Sequence, residues 1–144
     1  MTLPSQFIPG VFVVKPGLYA GGISLRAHPA TYFYDKDVVI LMDLSTMSFA
    51  ETSVMVLRNG PNVTVMGQNS IGANGNRAIL PLPGISMRFT GLGMYTPDGG
   101  QTQRIGLSPD IYVERTLEGI REGRDELMDA AVAYLTARAS QLSR

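Results

Sequence analysis

The stretch that decides the fold is Val38–Gly67, VVILMDLSTMSFAETSVMVLRNGPNVTVMG. Its opening VVILMD, residues 38–43, is apolar up to its last residue and β-branched at its start. That is the pattern of a strand covered on both faces, as in a largely parallel sheet flanked by helices. Val54, Met55 and Leu57, with the small Ala50, then recur at helical spacing and stop at Asn59-Gly60-Pro61, which predicts a helix over Ser48–Asn59. NVTVMG, residues 62–67, reads as a second buried strand. Strand, helix and strand joined by short connections form a βαβ unit, the heart of the expected domain.

The rest of the chain is read outward from that unit. With 144 residues there is room for one domain, 1–144. Twelve Lys and Arg balance twelve Asp and Glu with no basic stripe, so the electrostatic footprint of a nucleic-acid binder is missing. Without cysteine there are no disulfides and no thiolate metal ligands. The first residues, MTLPSQFIPG, lack the basic start and apolar run of a secretory signal, and no run of about 18 apolar residues occurs to span a membrane.

Upstream, GVFVVK at 10–15 and TYFYD at 31–35 look β-like amid Pro and Gly punctuation. Downstream, AILPLPG, ISMRFTG and LGMYT suggest a meander packed at one side. From Thr116 onward two helices divided at Gly123 are expected, the second placing Leu127, Ala131, Tyr134 and Leu135 on one face. Arg124, Asp125, Glu126 and Asp129 read as its solvated charges.

Ser48-Phe49-Ala50-Glu51 has the S-x-x-E spacing of a capping box, a sufficient local reason for both polar residues. Yet Ser48 also lies between a buried strand and a helix N-terminus, where open α/β sheets place their active sites. The unpaired amides there can hold a developing oxyanion, with Phe49 N–H a natural donor. A serine nucleophile needs a general base, and His28, Lys15 and Lys36 are the groups on offer.

Other motifs fail on spacing. Gly67 and Gly72 give G-x-x-x-x-G, but Ala73-Asn74 stand where a phosphate loop needs Lys and Ser or Thr. Gly91-Leu92-Gly93 is followed by Thr96 where a dinucleotide fingerprint needs glycine. No acidic and histidine cluster has metal-ligand spacing, so neither metal nor cofactor is expected.

Several segments in order resemble one family, the C-terminal processing or tail-specific serine peptidases, which include the tricorn core protease and the photoreceptor retinoid-binding protein. They are VVILMDLSTMS leading into S-x-A-E, the helix, NVTVMG, the loop SIGANGN, YTPDGGQTQRIGLSPDI and GRDELMDAAVAYL. The resemblance implies an α/β fold, a largely parallel sheet with flanking helices, forming part of a ClpP/crotonase-like catalytic domain. It implies Ser48 as nucleophile and Phe49 N–H as oxyanion donor.

Two departures qualify it. The processing branch places a lysine base twenty-five residues past the serine, and this chain has Ala73 there. The tricorn-like branch uses an upstream histidine with a glutamate just before G-x-x-P-D; before Gly106-Leu107-Ser108-Pro109-Asp110 stand Gln101 and Gln103, with Asp98 the nearest carboxylate. No segment before Val38 matches the family's upstream half. The expectation is therefore the C-terminal, nucleophile-bearing portion of a serine endopeptidase, with a peptide or protein substrate and the upstream half as partner. The resemblance suggests a periplasmic, cell-surface or secreted setting. The alternative is a non-catalytic domain that keeps the fold and binds a small apolar ligand or a peptide.

Overall fold

The computed structural model describes residues 10–12, 34–75, 77–96 and 99–142. Seven strands and three helices follow one another among them. Strand β1 is Gly10–Phe12 and β2 is Val38–Met42; helix α1, Phe49–Leu57, leads to β3, Val63–Gly67. Strands β4 (Arg77–Leu82), β5 (Ile85–Thr90), β6 (Leu92–Met94) and β7 (Ile111–Tyr112) come next, then helices α2 (Leu117–Glu122) and α3 (Glu126–Leu142).

The centre is a three-stranded parallel sheet in the order β2-β3-β7. Alternation divides its side chains between two cores. Met42 and Val65 pack with Val54 and Met55 of α1 and with Leu107, and Ile40 joins them. Val39, Leu41 and Met66 turn to the other side, against Leu127, Ala131 and Tyr134 of α3. Burial on both faces is why the strand sequences run apolar without alternation. Each fully buried aliphatic or methionine side chain contributes about 1.5–3 kcal/mol, so these two layers supply the main driving force for the unit.

Polar contacts fix the register. Asp110, just ahead of β7, donates its N–H to Val65 O at 2.8 Å, and its carboxylate accepts from Val65 N–H at 2.8 Å and from Arg58 at 2.9 Å. That one residue ties β3 to β7 and to the end of α1. On the opposite side Tyr134 Oη shares a 3.0 Å hydrogen bond with Thr64, while Arg138 pairs with Asp37 at 2.9 Å and lies 6.0 Å from the Tyr134 ring centroid. Gly67 ends β3 with φ 130, and a Cβ there would stand 1.9 Å from Met42 O.

Two expectations are corrected, and one element is new. The segments after Gly75 do not form one meander: β4 and β5 pair as an antiparallel hairpin, whereas β6 pairs with β1. Glu126 is no free surface charge, because it accepts from Thr116 N–H at 2.6 Å and Thr116 Oγ1 at 2.8 Å, locking the start of α2 to α3. Strand β7, two residues behind Pro109-Asp110, had no readable strand pattern. The proposed strand GVFVVK is seen over 10–12, and its remainder, with residues 31–33 of TYFYD, lies outside the described residues.

Two outcomes are expected. The hydrogen bond from Arg138, reinforced by its charge, holds the Asp37 carboxyl below its ordinary range. A depressed folded pKa means stabilisation that is complete well above the unfolded value of about 3.9 and is lost as pH falls through the lower folded value. Thermal melts should show Asp37→Asn less stable than the parent at pH 7, with the gap closing below about pH 4; a gap that persists there would assign it to packing. Gly67→Ala should cost about 2 kcal/mol or more in urea unfolding, because it combines a glycine-only backbone conformation with a main-chain clash.

Candidate active site

Both β2 and β3 end at the same edge of the sheet, Met42 opposite Gly67, and the segments that follow them meet there. After β2 the chain turns sharply: Asp43 N–H donates to Thr46 Oγ1 at 3.1 Å and Thr46 N–H returns to Asp43 O at 3.0 Å. Hydrogen bonds from the Ser45 hydroxyl and amide, at 2.5 and 2.9 Å, lower the Asp43 pKa, with Arg115 adding its charge from 3.8 Å. This self-bonded turn delivers Ser48 to the N-terminus of α1.

Ser48 is exposed and has φ 56, ψ −123, one of two positive φ values at non-glycine residues among those described. An ordinary N-cap lies in the β region. The departure is held by the Ser48 N–H, which is shared between Ala73 O at 2.9 Å and Glu51 Oε2 at 3.2 Å. Both contacts of the capping box are present, the Ser48 side chain facing the Glu51 N–H and the Glu51 carboxylate the Ser48 N–H, but the first is too loose to count as a cap hydrogen bond. Phe49, 78% exposed, has an N–H with no hydrogen-bond partner among the described residues. An exposed hydroxyl held only by a loose capping contact and an amide unbonded among the described residues therefore adjoin one another at the positive end of a helix dipole, an arrangement that can present an oxygen nucleophile and receive an oxyanion.

Glu51 organises the surroundings. Its side chain is fully buried and accepts from Ser48 N–H, from Ser70 Oγ at 2.5 Å and from Gly72 N–H at 2.9 Å. Ser70 Oγ in turn accepts from Leu107 N–H at 2.8 Å, and Ser70 N–H donates to Leu107 O at 3.0 Å. Gly72 meets the turn after Thr102 so closely that a Cβ would lie 2.7 Å from Gly106 N and 2.8 Å from Ile105 N; its carbonyl accepts from Arg104 N–H at 2.7 Å. Asn74 is buried against Thr52, with 3.2 Å between their polar atoms. From sequence alone Glu51 is legible only as half of a cap, and Ser70 and Gly72 carry no sign of being partners of the serine. The signal was present in S-x-x-E and S-I-G, but a cap and a buried hub share the same local pattern.

The remaining candidates are dispersed or lie elsewhere. Gln103 belongs to the turn docked on Gly72, and its Oε1 is buried with no partner among the described residues. Gln101 is exposed and spends its amide on Gln103 O at 2.8 Å. Asp98, His28 and Lys15 lie outside the described residues. Lys36 precedes β2, whereas Ser48 follows it, and a five-residue strand separates the two ends by roughly 16 Å. Paired at the surface with Asp35 at 3.6 Å, Lys36 is removed from the candidate bases. No three His, Cys, Asp or Glu side chains among the described residues converge to hold a metal ion.

Comparison with known proteins places this arrangement in a wider group. Residues 11–113 match the model of Peptidase family S41. A carboxy-terminal-processing protease of Bartonella bacilliformis is 32% identical over 92 residues, 63% of this chain and 21% of that protein. The chain thus spans about a fifth of that relative's length. A Parabacteroides merdae protein assigned as a peptidase superposes with a TM-score of 0.75 at 26% identity, over 90% of this chain and 42% of that one. The photosystem II D1 C-terminal processing protease, 21% identical, gives 0.58 over 88% of this chain and 34% of its own. The last likeness is one of fold: a mostly parallel sheet with flanking helices. With the family match running across more than two thirds of the residues, from β1 past β7, the chain belongs to peptidase family S41.

Proposed function

We propose that this chain carries the nucleophile of a serine-type processing peptidase. Membership of the family already supports hydrolysis of peptide bonds in peptide or protein substrates. The observation that carries the finer reading is the pairing of Ser48, exposed at φ 56 and ψ −123, with the adjoining Phe49 N–H, unbonded among the described residues. Ser48 Oγ attacks the scissile carbonyl, a general base takes its proton, and Phe49 N–H holds the oxyanion of the tetrahedral intermediate. Collapse breaks the C–N bond, the amine leaving with the proton returned by the base, and leaves an ester on Ser48, which water then hydrolyses with the base taking its proton.

The base is the part this chain does not supply at the usual place. Ser48 N–H bonds to the carbonyl of Ala73, so the loop position that bears lysine in the processing branch is directly beside the serine, with a methyl group in place of an amine. Gln103 Oε1, an acceptor in the adjoining turn without a partner among the described residues, is suited to orient a base that donates to it, and Gln101 steadies that turn. We assign the base itself to the upstream half of the catalytic domain, the partner this portion requires.

Fluorophosphonate labelling with peptide mapping, in the native polypeptide context, tests the nucleophile. Label on Ser48 that disappears in Ser48→Ala is the expected result. A folded protein that takes no label would instead favour a domain that binds a peptide or apolar ligand without turnover. Ala73→Lys provides an independent test of the loop geometry. Placing an amine beside Ser48 should raise the labelling rate at least about tenfold, with a new dependence on pH near the lysine pKa. An unchanged rate in the folded variant would show that the loop does not aim that side chain at the hydroxyl.

A further inference from the structure

The buried hydroxyl of Ser70 works in two directions. It accepts from Leu107 N–H at 2.8 Å and donates to Glu51 Oε1 at 2.5 Å. A main-chain amide can only donate, so the polarity of this chain is fixed. It runs from Leu107 through Ser70 into the Glu51 carboxyl group, whose second oxygen receives Ser48 N–H at 3.2 Å. Hydrogen bonds aligned in this way strengthen one another. Ser70 N–H also donates to Leu107 O at 3.0 Å, and a Cβ on Gly106 would stand 2.2 Å from Ser70 O. The serine is thus clasped against the end of the turn that carries Gln103.

The last bond of the chain is also its longest. Ser48 holds φ 56 there, whereas an ordinary N-cap takes the β region and closes a bond from its hydroxyl to an amide of the first turn. A backbone of this kind persists only where its surroundings hold it. Relaxation would turn the loose contact between Ser48 Oγ and Glu51 N–H into a full cap bond, committing the hydroxyl to the helix instead of to a substrate carbonyl. Two acceptors hold Ser48 N–H against that change, Ala73 O at 2.9 Å and Glu51 Oε2. The second depends on Ser70.

We infer that Ser70 is a positioning residue for the nucleophile: acting through Glu51, its hydroxyl keeps Ser48 from settling into an ordinary helix cap. The inference rests on Ser48 being the attacking group. Without the hydroxyl, Leu107 N–H becomes a buried donor that has lost its acceptor, and Glu51 loses one of the three donors that replace its hydration. The carboxyl group then shifts to recover a donor, and the long bond to Ser48 is the first given up. Glu51→Gln separates the two ends of the chain. Its oxygen can serve Ser70 and Gly72, as Oε1 does now, which sets the amide nitrogen against Ser48 N–H, donor facing donor. The reverse setting would put that nitrogen against Gly72 N–H and the Ser70 donor together, which is worse.

Amide hydrogen exchange followed by NMR, with fluorophosphonate labelling in the native polypeptide context, tests the link. Ser70→Ala should speed exchange at both Ser48 and Leu107 by about tenfold or more relative to the amides of β2. Its labelling rate constant should fall by about tenfold or more at an unchanged half-saturating probe concentration. Ser70→Thr keeps a hydroxyl and should restore both. Glu51→Gln should release Ser48 and slow labelling while Leu107 stays protected, and it decides the matter should Ser70→Ala not fold. Tyr134→Phe, which removes the hydrogen bond to Thr64 on the other face of the sheet, should lose stability without either effect. A folded Ser70→Ala protein with Ser48 exchange and labelling unchanged would overturn the inference. So would a Glu51→Gln protein whose Ser48 amide stays protected, or equal losses in Tyr134→Phe. A parent protein that takes no label would defeat the reading of Ser48 as nucleophile, and the exchange rates would still decide whether Ser70 holds its backbone.

Discussion

The arrangement around Ser48 depends on one buried carboxyl group. Among the described residues no cation pairs with Glu51, yet its side chain is completely removed from water. Burial of that kind is tolerated only where donors replace the lost hydration. Three donors do so, and they come from three different places: the start of α1, Ser70 after β3, and Gly72 in the following loop. Ser70 passes the connection on to Leu107. Four segments that would otherwise be independent loops are thus fixed to one point inside the protein. The unusual backbone of Ser48 is sustained by that network.

The same network explains how a loop can keep its shape while its chemistry changes. Gly72 is held by main-chain contact with the turn at 104–106, and Ala73 offers only its carbonyl to Ser48. None of these bonds uses the side chain at position 73. Replacing that side chain would therefore break none of these bonds, and what it would change is the acid–base group available.

Much of the fold was readable because one physical pattern dominates it. The apolar runs at 38–42 and 63–67 and the helical spacing between them follow directly from a sheet buried on both faces. Strand β7 escaped because two residues carry no period, and its place comes from Asp110 bonding to Val65. The β6 pairing with β1 escaped because it joins residues some eighty positions apart, for which local turn signals say nothing. At the candidate site, Ser48 and Phe49 were legible from position and resemblance. The roles of Ser70 and Gly72, and the unpaired oxygen of Gln103, arise from tertiary contacts alone.

The two cores share a material property. Met42, Met55 and Met66 are among the largest side chains fully buried, and Met42 and Met66 occupy opposite faces of adjoining strands. Thioether side chains adapt to irregular space, which suits a sheet whose strand ends must hold bent loops. They are also the apolar residues most readily converted by peroxide to polar sulfoxides. With no cysteine in this sequence to intercept an oxidant, oxidation would begin at the exposed Met47, Met87 and Met128, and only damage that reached the three buried methionines would loosen the packing behind the Ser48 and Ser70 segments.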